Sequence, residues 1–173
     1  KVSITNIKNK KDLQKLVKRK PDLVFSGVKY FLFGKEKIWL NNYLEIYKIP
    51  YIASSKSALD NESDKNKAKK IIRLAKIKTA DFFTTYPNEH LNTKTIPISF
   101  PLFIKPVKGG DSRGIDSSSI VNNFDSFKKK VLEIKEKHNL NSIAETYLTG
   151  REFTVGIFEE SITGILRALP VEI

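Results

Sequence analysis

An apolar run of four residues, Pro101, Leu102, Phe103 and Ile104, ends abruptly in Lys105 and is followed closely by Gly109, Gly110 and Gly114. This stretch, PLFIKPVKGGDSRGID, limits the fold more tightly than any other part of the chain. A run so short, bounded by proline and glycine, reads as a buried strand. An ammonium at its end loses hydration on burial and must recover it from an anion or from hydrogen-bond acceptors. Closely spaced glycines let backbone N–H groups converge on an anion, so the strand end and loop together suit a phosphate. They also suit a hairpin turn that needs glycine at positive φ. The loop lacks the terminal Gly-Lys-Ser/Thr of a P-loop and lies between two strand-like runs instead of opening a helix.

The rest of the chain alternates helix and strand patterns. Residues 12–20 place Leu13, Leu16 and Val17 at helical spacing, and Pro21-Asp22 then introduces the strand-like Leu23-Val24-Phe25. An amphipathic helix over residues 38–47 precedes a second short strand at residues 49–52. Such alternation predicts an α/β first part with parallel strands. Ser57 or Asp60 is placed to cap a helix over residues 64–77, with Ala68, Ile71, Ile72 and Ala75 as its apolar stripe. Residues 79–99 carry Pro87, Asn88, Asn92, Thr93, Thr95 and Pro97 with little periodicity, which predicts a connection between lobes. The expected division is therefore 1–78, a linker at 79–99, and a second lobe at 100–173. Within that second lobe the patterns predict strands at 102–107 and 113–121 and a helix at 124–138 capped by Asn123. Further strands are predicted at 142–147, 152–158 and 162–169.

Composition narrows the chemistry. At 173 residues with 40% hydrophobic side chains, the chain can bury a sizeable core. No apolar run approaches the ~20 residues of a membrane span, and the lysine-rich start lacks a signal-peptide apolar region, so the expectation is a cytoplasmic protein with no membrane partner. Zero cysteines exclude disulfides, thiolate metal sites and cysteine nucleophiles, and the two histidines, His90 and His138, lie too far apart for a local zinc motif. The formal charge of +12 raises the question of nucleic acid, but only five of the 31 basic residues are arginine, whose planar fork base and phosphate recognition favours. A lysine-biased composition accounts for the charge, and a basic nucleic-acid-binding domain stays as a minor alternative. With no methionine, even at position 1, the sequence reads as a piece of a longer product.

A second unusual stretch is IAETYLTGREFTVGIF, with Glu145 ending one strand and Glu152 entering the next. Carboxylates at strand ends are often merely solvated. A purine, however, can be held by one backbone carbonyl and one backbone N–H of such a segment, while a nearby carboxylate accepts both ribose hydroxyls.

Taken together, SDK at a helix start, PLFIKPxxxxxSxGI, IAETYLTGREFTVGI and a following LPVEI resemble the ATP-grasp superfamily, most closely its D-alanine–D-alanine ligase group. The resemblance covers nearly the whole chain. It implies a partial N-terminal parallel α/β lobe followed by an ATP-grasp lobe of α+β type, with antiparallel sheet and a packed helix. It implies that Lys105 and Lys65 contact the α- and β-phosphates of ATP, and that Gly109, Gly110, Ser112 and Gly114 form a lid over the transferred phosphate. Lys105 and Ser112 then stand as the catalytic pair. Glu145, Thr146, Tyr147 and Leu148 become the adenine-binding segment, Phe103 packs on the adenine, and Glu152 holds the ribose.

The resemblance further implies a carboxylate–amine ligase that passes through an acyl phosphate, with a small amino-acid or peptide carboxylate as partner, and it allows a homodimer. The Mg2+ ligands and a stabilising arginine are expected downstream of Ile173. Two departures bear on substrate. The first-lobe segment SGVKYFLFGKEK contains no histidine where the D-alanine ligases carry a histidine- and glycine-rich stretch, and the residue before Ser112, a serine in those enzymes, is Asp111. D-Alanine as substrate therefore does not follow. A non-catalytic nucleotide-binding module remains the alternative function.

Overall fold

The structure, a computed structural model, describes residues 2–160 and 163–173. The chain divides into two units: the first comprises residues 1–79 with 106–113, the second residues 80–105 with 114–173.

In the first unit, helix α1 (Lys10–Lys18) starts where the Asn9 side chain accepts the Asp12 N–H, and it buries Leu13, Leu16 and Val17. Strand β1 (Val24–Phe25) follows. An antiparallel hairpin of β2 (Tyr30–Phe33) and β3 (Glu36–Trp39) comes next, its turn made by Gly34 at φ 65°. Helix α2 (Leu40–Ile46) then supplies Leu40 and Leu44, which join the α1 side chains and Ile49 in one core. Strand β4 (Tyr51–Ile52) pairs in parallel with β1, Val24 opposite Tyr51, as the alternating pattern requires. Two helices complete the unit: α3 (Lys56–Glu62), capped by Ser55, and α4 (Lys65–Leu74), capped by Asp64. The cap of α4 is Asp64 and not the expected Ser57 or Asp60, because those two residues lie inside α3, a helix the pattern did not predict. The predicted stripe of α4 is half-buried at Ala68 and Ile72, whereas Ile71 and Ala75 are exposed.

The second unit is built on a four-stranded sheet in the order β5-β8-β6-β7. Strand β5 (Phe82–Thr85) lies within the predicted connection and runs antiparallel to β8. Strand β6 (Leu102–Pro106) pairs antiparallel with the short β7 (Ile120–Val121), and a 3₁₀ turn at Ser117–Ser119 occupies much of the strand predicted at 113–121. Helix α5 (Phe124–His138) is capped by Asn123 in reciprocal hydrogen bonds with Ser126 and ends at Asn139 in the left-handed conformation. Its Phe127, Val131 and Ile134 pack with Leu102 and Ile104 of β6, Val121, and Ala144 of β8 (Ser142–Thr146). Ile96, Ile98 and Phe100 close over that core, so the segment before β6 is a packed part of this unit.

A hairpin of β9 (Phe153–Glu159) and β10 (Leu166–Glu172) ends the chain, with Phe153 opposite Glu172. The predicted start of the last strand, Ile162, lies outside the described residues. Every residue of β9 and β10 is exposed, and apolar side chains occupy both faces of the hairpin.

Candidate functional site

Strand period two sorts β6 into two faces. Leu102 and Ile104 are fully buried in the core, while Phe103 and Lys105 share the opposite, half-buried face. Alternation along β6 therefore explains how an apolar run can end in a lysine. On the neighbouring strand β8, Glu145 faces Lys105, with Lys105 Nζ 3.0 Å from Glu145 Oε1; the side chains keep 20% and 10% of their exposure. Oε1 is fully enclosed, so this contact between opposite charges lies away from solvent. The Lys105 ammonium also stands 5.6 Å from the Phe103 ring centroid, within cation–π range. The anion that Lys105 requires is thus supplied internally, by a carboxylate forty residues along the chain.

Past Glu145 the backbone leaves the sheet in steps. Thr146 donates its N–H to the Asp81 carbonyl at 2.9 Å and Tyr147 donates to the Pro101 carbonyl at 3.1 Å. Among the described residues no partner takes the Leu148 N–H, and the Leu148 side chain is 69% exposed. A free donor beside a strand edge can read the ring nitrogen of a base. Gly150, at φ 119°, turns the chain into β9. There Arg151 lies over the Phe153 ring, 5.1 Å from its centroid, and reaches Glu172 at 3.5 Å, leaving the Glu152 side chain in solvent.

The glycine loop is described within the first unit. Its Gly109 N–H donates to the Ser63 carbonyl at 2.9 Å, and the Lys65 ammonium donates to the Gly109 carbonyl at 2.6 Å. The Lys65 N–H binds the Val107 carbonyl at 3.0 Å, so the start of α4 and the entry to the loop form one hydrogen-bonded corner. Gly109 has φ 98°, and Asp111 and Ser112 take φ 56° and 53°, a left-handed conformation that disfavours their side chains. Glu62 and Lys29, which pair with each other, stand 3.5 and 3.9 Å from where a Gly110 side chain would begin. Lys29 stands near the loop in its ion pair with Glu62 of α3.

Sequence reasoning misses one further cluster. Lys130, in the run Lys128-Lys129-Lys130, is 2% exposed and binds both oxygens of Asp116 at 2.9 Å. Hydrogen bonds from Ser118 and Lys130 hold the Asp116 carboxyl at about 2, below the ordinary carboxylate range. Elsewhere on the second unit, a cavity of about 370 Å³ is lined by Tyr86, His90, Phe127 and Leu132, and none of the site residues named from the sequence lines it. Among the described residues no group of three or more acidic or histidine side chains is placed to hold a metal ion.

Comparison with known proteins adds an independent line. The family model described as "D-ala D-ala ligase C-terminus" matches residues 70–172. A D-alanine–D-alanine ligase from Aquifex aeolicus is 31% identical over 157 residues, spanning 90% of this chain and 51% of that protein. The VanG D-Ala:D-Ser ligase from Enterococcus faecalis superposes with a TM-score of 0.64 at 26% identity, over 85% of this chain and 41% of that one. The D-alanine–D-alanine ligase from Bacillus anthracis, in complex with ATP, superposes with a TM-score of 0.62 at 24% identity, over 95% and 57%. The chain thus spans about half the length of the proteins it resembles.

Proposed function

Since this chain belongs to the D-Ala–D-Ala ligase C-terminal family, we propose that it supplies the ATP-binding part of an ATP-dependent carboxylate–amine ligase. The observation that carries this reading is the half-buried face of β6, where Phe103 and Lys105 stand together with Glu145 of β8. Phe103 would pack on adenine and Lys105 would exchange part of its contact with Glu145 for a phosphate oxygen. The exposed Leu148 N–H and the Thr146 carbonyl would read the adenine edge. Glu152, whose side chain is in solvent, would accept the ribose hydroxyls. Lys65 and the loop amides from Gly109 to Gly114 would neutralise the remaining phosphate charge, with Ser112 over the γ-phosphoryl.

In the reaction so assigned, a carboxylate oxygen attacks the γ-phosphorus, the bond to the β-phosphate oxygen breaks, and ADP leaves. The acyl phosphate is then attacked at its carbonyl carbon by an amine, inorganic phosphate departs, and the amine proton is lost as the amide forms. Phosphoryl transfer needs alignment and charge neutralisation more than covalent assistance, which is the work that lysines and loop amides can do. Among the described residues no group of three or more acidic or histidine side chains is gathered to hold a metal ion. Asp111, on the loop, would favour a substrate bearing a cationic group near the reacting carboxylate. Among the described residues no helix is long and apolar enough to cross a membrane. The cytoplasm, where ATP is supplied, is the compartment this reading proposes.

Calorimetric titration of the chain with ATP, ADP and adenosine tests the reading. ATP is expected to bind more tightly than adenosine, and the Lys105→Met variant to lose that difference. No heat of binding with millimolar ATP would overturn the assignment.

A further inference from the structure

Helix α5 buries a lysine among apolar neighbours. Phe127, Val131 and Ile134 line its core face, and Lys130, between them, keeps 2% of its exposure. A buried ammonium persists only where acceptors replace its hydration. Here both Asp116 carboxylate oxygens lie at 2.9 Å, Ser118 Oγ at 3.1 Å and Glu133 Oε2 at 3.4 Å. Asp116 is itself over-determined. It accepts from the Ser118 N–H at 2.8 Å and the Ser118 hydroxyl at 2.6 Å, and its own N–H donates at 3.1 Å to Ser119, which is fully buried.

The contrast with the residues just upstream gives this cluster its meaning. Gly109, Asp111, Ser112 and Gly114 all have positive φ, so the loop is held in a backbone conformation that side chains resist, with few ladder hydrogen bonds to support it. The chain passes from that loop to a fixed post within two residues of Gly114.

We propose that Lys130 is a positioning residue for the glycine loop: through Asp116 it fixes the point at which the chain returns from the loop, and so limits where Ser112 and Gly114 can stand when a phosphate binds. The proposal rests on the nucleotide reading above. A loop tethered firmly at its end samples fewer conformations and loses less entropy when a ligand orders it. Releasing the tether leaves the adenine contacts, which lie on β6 and β8, unchanged.

The test compares the native chain with Lys130→Met/Asp116→Asn, which removes both charges without stranding either and keeps a capping side chain at position 116. Asp116→Asn alone, which leaves the Lys130 ammonium with Ser118, Glu133 and the new amide, serves as the second variant. ATP affinity is expected to fall about 5- to 10-fold in the double variant while adenosine affinity stays within about twofold. Hydrogen exchange of amides 109–115 is expected to quicken without ligand while that of α5 does not. Unchanged ATP affinity and unchanged loop exchange in a folded variant would overturn the proposal and leave Lys130 as a brace of the core. A parallel loss of ATP and adenosine binding would also overturn it, since damage would then extend beyond the loop. Failure of the native chain to bind ATP would instead overturn the nucleotide reading, and the ligand-free exchange comparison would still decide whether the post anchors the loop.

Discussion

Lys105 and Glu145 face each other across β6 and β8 at 3.0 Å, an ion pair with side chains only 20% and 10% exposed. Two partly desolvated charges depend on one another, so removing either takes from the other a close partner of opposite charge. A lysine that held only a ligand phosphate would be a liability in the free protein, and its loss would leave stability intact. The observed pair makes the opposite expectation.

Lys105→Met is therefore expected to lower the stability of the free chain by about 3 to 5 kcal/mol, and Glu145→Gln by a similar amount. The double variant should lose less than the sum, because both single variants already forfeit the same 3.0 Å contact. Melting curves of the three variants check this; strict additivity would mean that the two groups do not sense one another.

The same lysine is expected to contribute a charge-assisted hydrogen bond to bound ATP, worth on the order of 1.5 to 3 kcal/mol, so Lys105→Met should weaken ATP binding by ~10- to 150-fold. Adenosine, which carries no phosphate, should bind about as before. Titrations run at a temperature where the variant remains folded separate the affinity effect from the stability effect. Unchanged ATP affinity would remove Lys105 from the phosphate site.

Asp116 gives the chain a defined acid response. Its carboxyl titrates at about 2 in the folded state against an ordinary value of 3.8, through hydrogen bonds from Ser118 and Lys130. A lowered folded value means that the unfolded chain takes up the proton first. The stabilisation is present above the ordinary value and is lost as pH falls from there toward 2. Asp116→Asn should accordingly flatten the part of the melting-temperature profile below about pH 4, relative to the native chain. A profile that keeps its full acid slope in the variant would assign that slope to other carboxylates.

How much of this was legible in the sequence depends on the range of the interaction involved. Helix α5 and its Asn123 cap are local, and the pattern over residues 124–138 predicted both. The face shared by Phe103 and Lys105 follows from strand periodicity alone. The β2–β3 hairpin is absent from the sequence reading although Phe31 and Phe33 alternate toward the core ahead of Gly34, because each strand is only four residues long and offers little periodicity. Strand β5 was hidden among prolines and asparagines, and its place in the sheet comes from pairing with β8, some sixty residues away. Burial of Lys130 leaves no local trace. Lys130 is one of three consecutive lysines, and only the partner fourteen residues upstream makes it a core residue.

The family match covers α5, β8 and the segment after it, which directs attention to Leu148. Its side chain is 69% exposed, and its N–H has no partner among the described residues. If that donor reads the adenine ring, Leu148→Ala should leave affinity within about twofold, because the contact belongs to the backbone, whereas Leu148→Pro removes the donor itself. The loss of one such hydrogen bond is worth roughly 0.5 to 1.5 kcal/mol, and more where the acceptor is left buried, so binding should weaken by about 3- to 15-fold. ATP and adenosine should weaken equally, since both carry the base. That pattern differs from Lys105→Met, which spares adenosine. Titration of both variants with both ligands provides the check: a proline variant that binds ATP and adenosine as tightly as the alanine variant would remove the Leu148 N–H from the base-recognition segment.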